Sequence, residues 1–220
     1  MNSNYHMNVT IKSAEDGLGL RERKKLQAMR HVQLTALELF EAHGFDPVTI
    51  EDIAKVALVS APTIYRYFGT KEGLVLWDEY DPLILQALRE QLRSSSLGDA
   101  MREAIVRYMD GTVEASRLLR RMRLVESHAG LRAAVAANLR VLRSEMANVF
   151  VDSGACRDPL EAEVAAGATT TALEIAVEHW ARAGGKWPLR RFLERSLRLL
   201  RRFAEKTVQE RAGRKAGTHR

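Results

Sequence analysis

The chain has 220 residues, a formal net charge of +6 and a pI near 9.7. Its hydrophobic content of 46% excludes a disordered chain. The single cysteine, Cys156, excludes an intrachain disulfide and a metal site built from cysteines. The abundance of Ala, Leu, Arg and Glu predicts an all-α protein. The basic balance favours nucleic acid or an anionic membrane surface as a partner.

The N-terminal segment, residues 1–22, is polar and lacks periodicity, and it leads into a basic run that continues to Lys25. We predict a flexible basic arm here. The first twenty residues contain no continuous apolar stretch, so a secretory signal is not expected. The longest uncharged stretch of the C-terminal half, Val164–Leu173, is too short to span a bilayer. Together these features predict a cytoplasmic protein.

Residues 23–80 show the pattern of a helix-turn-helix domain. Apolar side chains recur at helical spacing over 23–43, and Gly44 ends that helix. Two short helices follow, of which Thr49 is placed to cap the first and Ser60 the second. A fourth helix starts after Thr70. A longer helix followed by two short ones joined by a tight turn is the layout of a helix-turn-helix.

The rest of the chain is also predicted to be helical. One helix starts at Asp81 and runs to about Arg93, and longer helices follow at 99–113, 114–127, 129–152, 159–183 and 188–208. Pro159 and Pro188 each fall in a first turn, where the missing N–H costs nothing. Residues 209–220 are expected to form a disordered tail.

The second short helix presents an outward surface that is mostly uncharged. Short hydroxyl and methyl groups near a helix N-terminus suit the base edges of the major groove, while tyrosine hydroxyls and the nearby Lys71 can reach phosphates. The starts of the short helices can also offer backbone N–H groups to phosphate. The outward residues of this helix are Ser60, Ala61, Pro62, Thr63, Tyr65, Arg66 and Tyr67.

Residues 30–77 contain an apolar helix ending LF-x-x-x-GF, then T-x-x-x-IA-x-x-A-x-VS, then T-x-Y-x-YF-x-x-KE. This combination resembles the DNA-binding domain of the TetR (tetracycline repressor) family. The resemblance implies a homodimeric transcription regulator, most simply a repressor, whose recognition helix is about Ala61–Tyr67. The chain departs from the family at Leu58, because the family usually has glycine in the interhelical turn.

The resemblance also implies individual roles. By motif position, Thr49, Tyr67 and Lys71 would contact phosphates, and residues 62, 63 and 65 would face bases or the adjoining backbone. The basic segment 21–25 resembles the arms that some members lay into a flanking minor groove. The predicted DNA-binding residues are Arg23, Lys24, Thr49, Ser60, Ala61, Pro62, Thr63, Tyr65, Arg66, Tyr67 and Lys71.

For residues 81–208 the resemblance implies an effector-binding and dimerisation domain, with the dimer formed through 159–183 and 188–208. We expect an apolar cavity for a small-molecule effector among the helices at 99–152 and 159–183. Its candidate lining residues are Ile105, Met109, Met122, Val125, Leu142 and Leu173. The chain also has a looser similarity to actinobacterial-type regulators, some of which respond to acyl-CoA-like ligands. A lipophilic or acyl-like effector is therefore one possible class of ligand.

The motifs of common enzymes are not found. The sequence contains no G-x-x-x-x-G-K-[ST], no G-x-G-x-x-G after a strand and no H-E-x-x-H. We therefore predict no enzyme activity, no catalytic residue, no cofactor and no metal. Two alternatives stay open: a helical small-molecule-binding protein or enzyme that uses the C-terminal cavity, and a membrane-surface protein that acts through the basic amphipathic helix 188–208. Repression and activation require the same DNA contacts, so the sequence does not separate them.

Overall fold

The computed structural model describes the backbone of residues 19–109 and 115–217, and the side chains of these residues except 106–109 and 204–217. The described residues contain helices and no strand, which confirms the all-α prediction. The helices are α1 (Leu20–His43), α2 (Ile50–Val56), α3 (Ala61–Phe68), α4 (Lys71–Leu76), α5 (Asp81–Gln91), α6 (Leu97–Met109), α7 (Ala115–Ser127), α8 (Ala129–Asp152), α9 (Pro159–Arg182) and α10 (Leu189–Gly217).

Two helix boundaries differ from the prediction. Helix α1 begins at Leu20, so the basic residues 21–25 form its first turns instead of an extended arm. Arginine, lysine and glutamate are good helix formers, and a run of them does not end a helix as glycine or proline would. Helix α10 continues to Gly217, past the predicted end at residue 208. Most of the predicted arm (1–18) and the end of the predicted tail (218–220) lie outside the described residues.

The chain divides into two compact units that are not contiguous in sequence. The first comprises residues 1–83 and 110–141, and the second comprises residues 84–109 and 142–220. Helix α7 and the first part of α8 therefore belong with the helix-turn-helix region, although the sequence placed them in a domain beginning at residue 81. Hydrophobic periodicity shows that a segment is helical, but it does not show which core the segment joins.

The core of the first unit holds the short helices in place. Ile53 of α2, Ile64 of α3 and Leu74 of α4 are at most 1% exposed, and they share one apolar cluster with Phe40 of α1. Leu131 of α8 is fully buried in the same cluster. Helices of six to eight residues are not stable alone in water. Packing on α1 and α8 is therefore what keeps α2, α3 and α4 helical.

In the second unit, α9 and α10 form an antiparallel pair. Ser196 Oγ donates to the carbonyl of Ala172 over 2.5 Å, and Trp180 Nε1 donates to the carbonyl of Trp187 over 2.8 Å. Leu193 is buried in this pair, and α6 also packs against α10. Although α9 and α10 are long, no helix within residues 19–109 and 115–217 is apolar enough over a sufficient length to cross a membrane.

A group of ion pairs joins α1, α7 and the segment between α4 and α5. We call these residues, Arg30, Asp78, Glu79, Arg117 and Arg121, the arginine clasp. The carboxylate of Glu79 accepts from Arg30 Nε over 2.5 Å and from Arg117 Nη2 over 2.6 Å. The side chains of Glu79 and Arg117 are only 4% and 8% exposed. Arg121 pairs with Asp78 over 3.1 Å. The clasp thus places the charges of Glu79 and Arg117 in the interior, where they are paired with each other.

Side chains from α1 and α7 also satisfy the last carbonyls of α4. Gln33, which is fully buried, donates through Nε2 to the carbonyls of Leu74 and Trp77 over 2.8 and 2.9 Å. Arg121 Nη2 donates to the carbonyl of Leu76 over 3.1 Å. Carbonyls in the last turn of a helix have no donor within the helix, so they need hydrogen-bond donors from other segments. The C-terminal end of α4 is consequently held from two sides.

The clasp makes a prediction about stability. Glu79→Gln keeps the shape of the side chain but leaves the buried Arg117 without an anionic partner. Removing one member of a buried ion pair costs about 3–5 kcal/mol, so the free energy of unfolding in urea should fall by about 3 kcal/mol or more. The control is Glu126→Gln, which changes an exposed glutamate of α7 and should cost less than about 0.5 kcal/mol. Equal losses in the two variants would contradict the role given to Glu79.

Candidate nucleic-acid interface

Helix α2 begins with a capping box, as predicted. Thr49 Oγ1 accepts from the Asp52 N–H over 3.1 Å. In return, Asp52 Oδ2 accepts from the Thr49 hydroxyl over 2.6 Å and from the Thr49 N–H over 3.0 Å. The hydrogen bond from the hydroxyl, followed by that from the backbone, lowers the pKa of the Asp52 carboxyl. The groups of Thr49 that were predicted to hold a phosphate are therefore engaged with a carboxylate of the same helix.

The turn between α2 and α3 contains a strained residue. Leu58 has a φ of 55°, the left-handed conformation that glycine adopts most easily, and its side chain is 90% exposed. The turn is closed by hydrogen bonds from Ala57 N to Ile53 O and from Val59 N to Ala54 O. The chain thus keeps the turn geometry that glycine would permit, and it bears the steric cost of a leucine there, about 1 kcal/mol.

Helix α3 buries one face and exposes the other. Ile64 is its buried residue, whereas Pro62, Tyr65 and Arg66 are exposed and Tyr65 is 48% accessible. Ser60 stands at the N-cap, but its side chain makes no cap hydrogen bond there. The structure thus corrects the expectation that Ser60 caps α3 by its hydroxyl. The Ser60 hydroxyl is instead paired over 2.8 Å with a second hydroxyl, that of residue 63 in the first turn.

The basic start of α1 lies beside α3. Lys25 Nζ is 5.9 Å from the centre of the Tyr67 ring, and the guanidinium carbon of Arg66 is 4.9 Å from the same ring. Contacts of this kind between a cation and an aromatic ring are attractive. They place two positive charges next to the exposed face of α3. The predicted DNA-contacting residues Arg23 and Lys24 are in the same helical segment and not in an extended arm.

Lys71 has a structural role that was not predicted. Its ammonium group donates to three carbonyl oxygens, those of Phe45 at 2.8 Å, Asp46 at 3.1 Å and Val48 at 3.0 Å. Nζ also lies 4.4 Å from the centre of the Phe45 ring. A lysine has three N–H donors, and all three are directed at the loop between α1 and α2. Lys71 can contact a phosphate only by giving up one of these bonds.

The candidate ligand-binding residues fall in both units. Ile105, Leu142 and Leu173 belong to the second unit, where Ile105 is buried and the other two are half-buried. Met122 belongs to the first unit. Val125 packs against the apolar core of the helix-turn-helix region. The side chain of Met109 lies outside the described residues. The structure therefore does not collect the six candidates into one cluster within a single unit.

Three arginines of α7 form ion pairs. Arg117 and Arg121 belong to the clasp, and Arg120 lies 3.7 and 3.6 Å from the carboxylates of Glu38 and Glu41 on α1. These three guanidinium groups are therefore matched with carboxylates of the first unit.

Two short helices with a tight turn, a solvent-facing second helix and adjacent cations define a helix-turn-helix DNA-binding protein. Comparison with known proteins assigns the family. Residues 34–76 match the model of the bacterial regulatory proteins of the tetR family, and residues 95–204, half of the chain, match the model described as the MftR C-terminal domain. The chain belongs to the TetR family of transcriptional regulators.

Two relatives illustrate the similarity. The chain is 32% identical over 109 residues to MftR of Mycobacterium tuberculosis, which is named for the regulation of mycofactocin biosynthesis. That match covers 47% of this chain and 54% of MftR, so the chain spans about half the length of this relative. It is 30% identical over 150 residues to the regulator TcmR of Streptomyces glaucescens, covering 64% of this chain and 66% of TcmR. Both relatives are named as regulators, which confirms the prediction of a regulator and not an enzyme.

A solved structure supports the fold. The structure of SmeT in complex with triclosan matches with a TM-score of 0.54 and 16% sequence identity, covering 79% of this chain and 90% of that chain. At this identity the match supports the fold alone.

Sequence reasoning missed several residues near the interface. Lys25 was recognised as basic but was not assigned to α3, because spacing along one helix does not show which neighbouring helix it meets. The contact of His128 Nε2 with Asp46 Oδ1, at 2.9 Å, joins residues far apart in sequence. No local pattern could have indicated that contact. The helical character of the segment that follows Gly19 could have been found, since its composition already favours a helix.

The strained turn gives a prediction. Leu58→Gly removes the steric cost of the left-handed conformation, while the added freedom of the unfolded chain offsets part of the gain. We expect the free energy of unfolding to rise, by up to about 1 kcal/mol. Thermal and urea unfolding would measure it. The control is Leu58→Ala, which shortens the exposed side chain but keeps the strain, and it should leave stability nearly unchanged. A clear loss of stability in Leu58→Gly would show that the turn is not strained.

Proposed function

We propose that the protein is a repressor that binds a pseudo-palindromic operator as a homodimer and is released by a small-molecule effector. The observation that carries this proposal is the exposed polar face of α3, which is held in place by the buried Ile64. In a symmetric dimer, two such helices would enter successive major grooves, about one helical turn or somewhat more apart.

The DNA contacts would be of two kinds. Thr63 and Tyr65 stand on the outward part of α3, where short polar groups and a phenol hydroxyl can meet base edges or the adjoining backbone. Lys25, Arg66 and Tyr67 form a positive group beside them, which suits phosphates. Because Arg23 and Lys24 are helical, we propose that they contact the phosphate backbone and do not enter the minor groove. Binding through these cations would weaken as salt concentration rises.

A dimer would account for the apolar surface of the second unit. Leu160, Val164 and Ile175 lie on one side of α9 and are 73%, 62% and 47% exposed. On the neighbouring α10, Leu199 and Phe203 are 40% and 71% exposed. Exposed apolar side chains that form a contiguous patch mark an interaction surface. We propose that α9 and α10 pack on the same helices of a second copy.

Release by an effector would follow from linkage. A ligand lowers DNA affinity only to the extent that it binds the conformation unable to bind DNA more tightly. Ile105, Leu142 and Leu173 are the candidates within the second unit for contact with such a ligand. Their side chains are apolar, which favours a lipophilic ligand, and an acyl-like molecule is one option.

The direct test is the selection of fragmented genomic DNA from the source organism by the purified protein at about 150 mM salt. We expect one inverted repeat to be enriched, because each copy of α3 reads one half-site. Capture without sequence preference would mean that binding rests on charge alone and would overturn the proposal. A duplex carrying the enriched repeat then serves as the operator for the measurements below.

Tyr65 provides a test of the recognition surface. Tyr65→Ala removes an exposed ring that supports no described core contact, so we expect operator affinity to fall at least about tenfold, a loss of about 1.4 kcal/mol, with unchanged thermal unfolding. Tyr65→Phe is the matched variant, and it separates the hydroxyl from the ring. Fluorescence anisotropy of a labelled duplex would measure the affinity. Operator affinity that is unchanged in Tyr65→Ala would remove Tyr65 from the interface.

Val164 provides a test of the dimer. Val164→Glu places a charge on the exposed side of α9, and burying an unpaired charge in an interface is costly. We expect the variant to sediment as a monomer at micromolar concentration and to lose operator affinity. The control is Val141→Glu, because Val141 is a helical valine of similar exposure, 57%, on α8. If both variants sediment as the wild type does, α9 is not the dimer interface.

A further inference from the structure

The loop between α1 and α2, residues 44–48, has a buried aromatic residue at its centre. Phe45 is 6% exposed, and its ring centre lies 4.9 Å from that of Phe40 and 4.8 Å from that of His128. Lys71 Nζ lies 4.4 Å from the same ring and donates to three carbonyls of the loop. The loop is thus held by one residue of α4 and by one residue that is distant in sequence.

His128 makes two hydrogen bonds with different nitrogens of its ring. Nδ1 accepts from the backbone N–H of Leu131 over 3.3 Å, so it caps the start of α8. Nε2 lies 2.9 Å from Asp46 Oδ1. Because Nδ1 faces a donor, the neutral ring carries its proton on Nε2, and Nε2 donates to Asp46. One side chain therefore joins the start of α8 to the loop that precedes α2.

The two ends of this hydrogen bond come from different sequence domains. Asp46 lies in the segment that matches the tetR-family regulatory model, and His128 lies in the segment that matches the MftR C-terminal domain. His128 also directly precedes α8, which continues without interruption to Asp152 and includes residues of both compact units. The loop itself leads directly to Thr49, the cap of α2.

We propose that His128 is a positioning residue for DNA binding, which acts by holding loop 44–48 and thereby the orientation of α2 and α3. This inference rests on the proposed function. The contact with Asp46 links the C-terminal sequence domain to the helix-turn-helix. A change at the start of α8 would reach the recognition helix through this loop. His128 touches no DNA in this proposal, so its effect is on the geometry of the residues that do.

Two substitutions separate the hydrogen bonds of His128. His128→Asn places an amide oxygen near the position of Nδ1, so it keeps the cap of α8 and loses the bond to Asp46. His128→Gln places an amide nitrogen near the position of Nε2, so it keeps the bond to Asp46 and loses the cap. Both remove the ring from Phe45, which makes them matched controls for each other. A lost cap destabilises a helix, so His128→Gln should unfold at a lower urea concentration than His128→Asn.

The experiment measures three quantities for wild type and both variants: urea unfolding, hydrogen exchange of the amides in 44–57, and affinity for the duplex enriched by the wild type. We expect His128→Asn to be the more stable variant, yet to exchange faster in 44–57 and to bind DNA about five- to tenfold more weakly than His128→Gln. Asp46→Ala should resemble His128→Asn, and the double variant should be no worse than either single one.

A purely structural role for His128 would give the same ranking in all three measurements, and that result would overturn the proposal. Equal exchange of residues 44–57 in the two variants would also overturn it, and this readout uses the free protein without DNA. If the wild type enriches no repeat, the proposed function fails, while the exchange data still decide whether His128 holds the loop. If the wild type enriches a repeat and both variants bind it like the wild type, only the role of His128 fails.

Discussion

A carboxylate shared by two arginines determines how the first unit is assembled. Glu79 follows α4, Arg30 belongs to α1 and Arg117 belongs to α7, so one buried anion fixes three segments. Charges in a protein interior are costly unless they are paired and hydrogen-bonded. Here the geometry supplies a short bond to each oxygen of the carboxylate. This arrangement allows few alternative packings of the three segments, because a shift of any one of them separates a charged group from its partner. It therefore favours one packing of α1, α4 and α7 over others of similar apolar area.

The helix-turn-helix itself is stabilised by contacts that also limit its chemistry. Thr49 and Lys71, which by motif position would bind phosphates, direct their donors at Asp52 and at the carbonyls of loop 44–48. On α3, by contrast, Tyr65 and Arg66 are exposed, and the Ser60 and Thr63 hydroxyls pair with each other and not with the rest of the domain. The residues that stabilise the domain are therefore different from the residues that α3 exposes. Substitutions on the exposed side of α3 can then alter DNA specificity without unfolding the domain.

Much of the helix-turn-helix domain could be predicted from the sequence, because its caps and turns depend on residues that are close together in the chain. The caps at Thr49 and Thr70, the early proline of α3 and the inward Ile64 depend on residues within one or two turns. The family motif then provided the regulator class. Prediction failed where the answer depended on tertiary packing. The partners of Lys71, the pairing of Arg117 and the contact of His128 connect residues more than twenty positions apart. The start of the first helix at Leu20 was missed for a different reason, since residues 1–22 were predicted to form an arm although the charged residues at 21 and 22 favour a helix.

The split of the first unit along the chain has a consequence for synthesis on the ribosome. The helix-turn-helix segment is synthesised first, whereas residues 110–141, which complete its core and bring Arg117 to Glu79, begin 27 residues after Leu83 and end 58 residues after it. At about 5–20 residues per second, translation from Leu83 to Val141 takes roughly 3 to 12 seconds. Until then the nascent domain lacks Leu131 and Arg117, which is one of the two arginine partners of the buried Glu79. The helix-turn-helix domain can therefore complete its folding only after residues 110–141 have been synthesised. Folding of the first unit thus depends on translation of part of the C-terminal half.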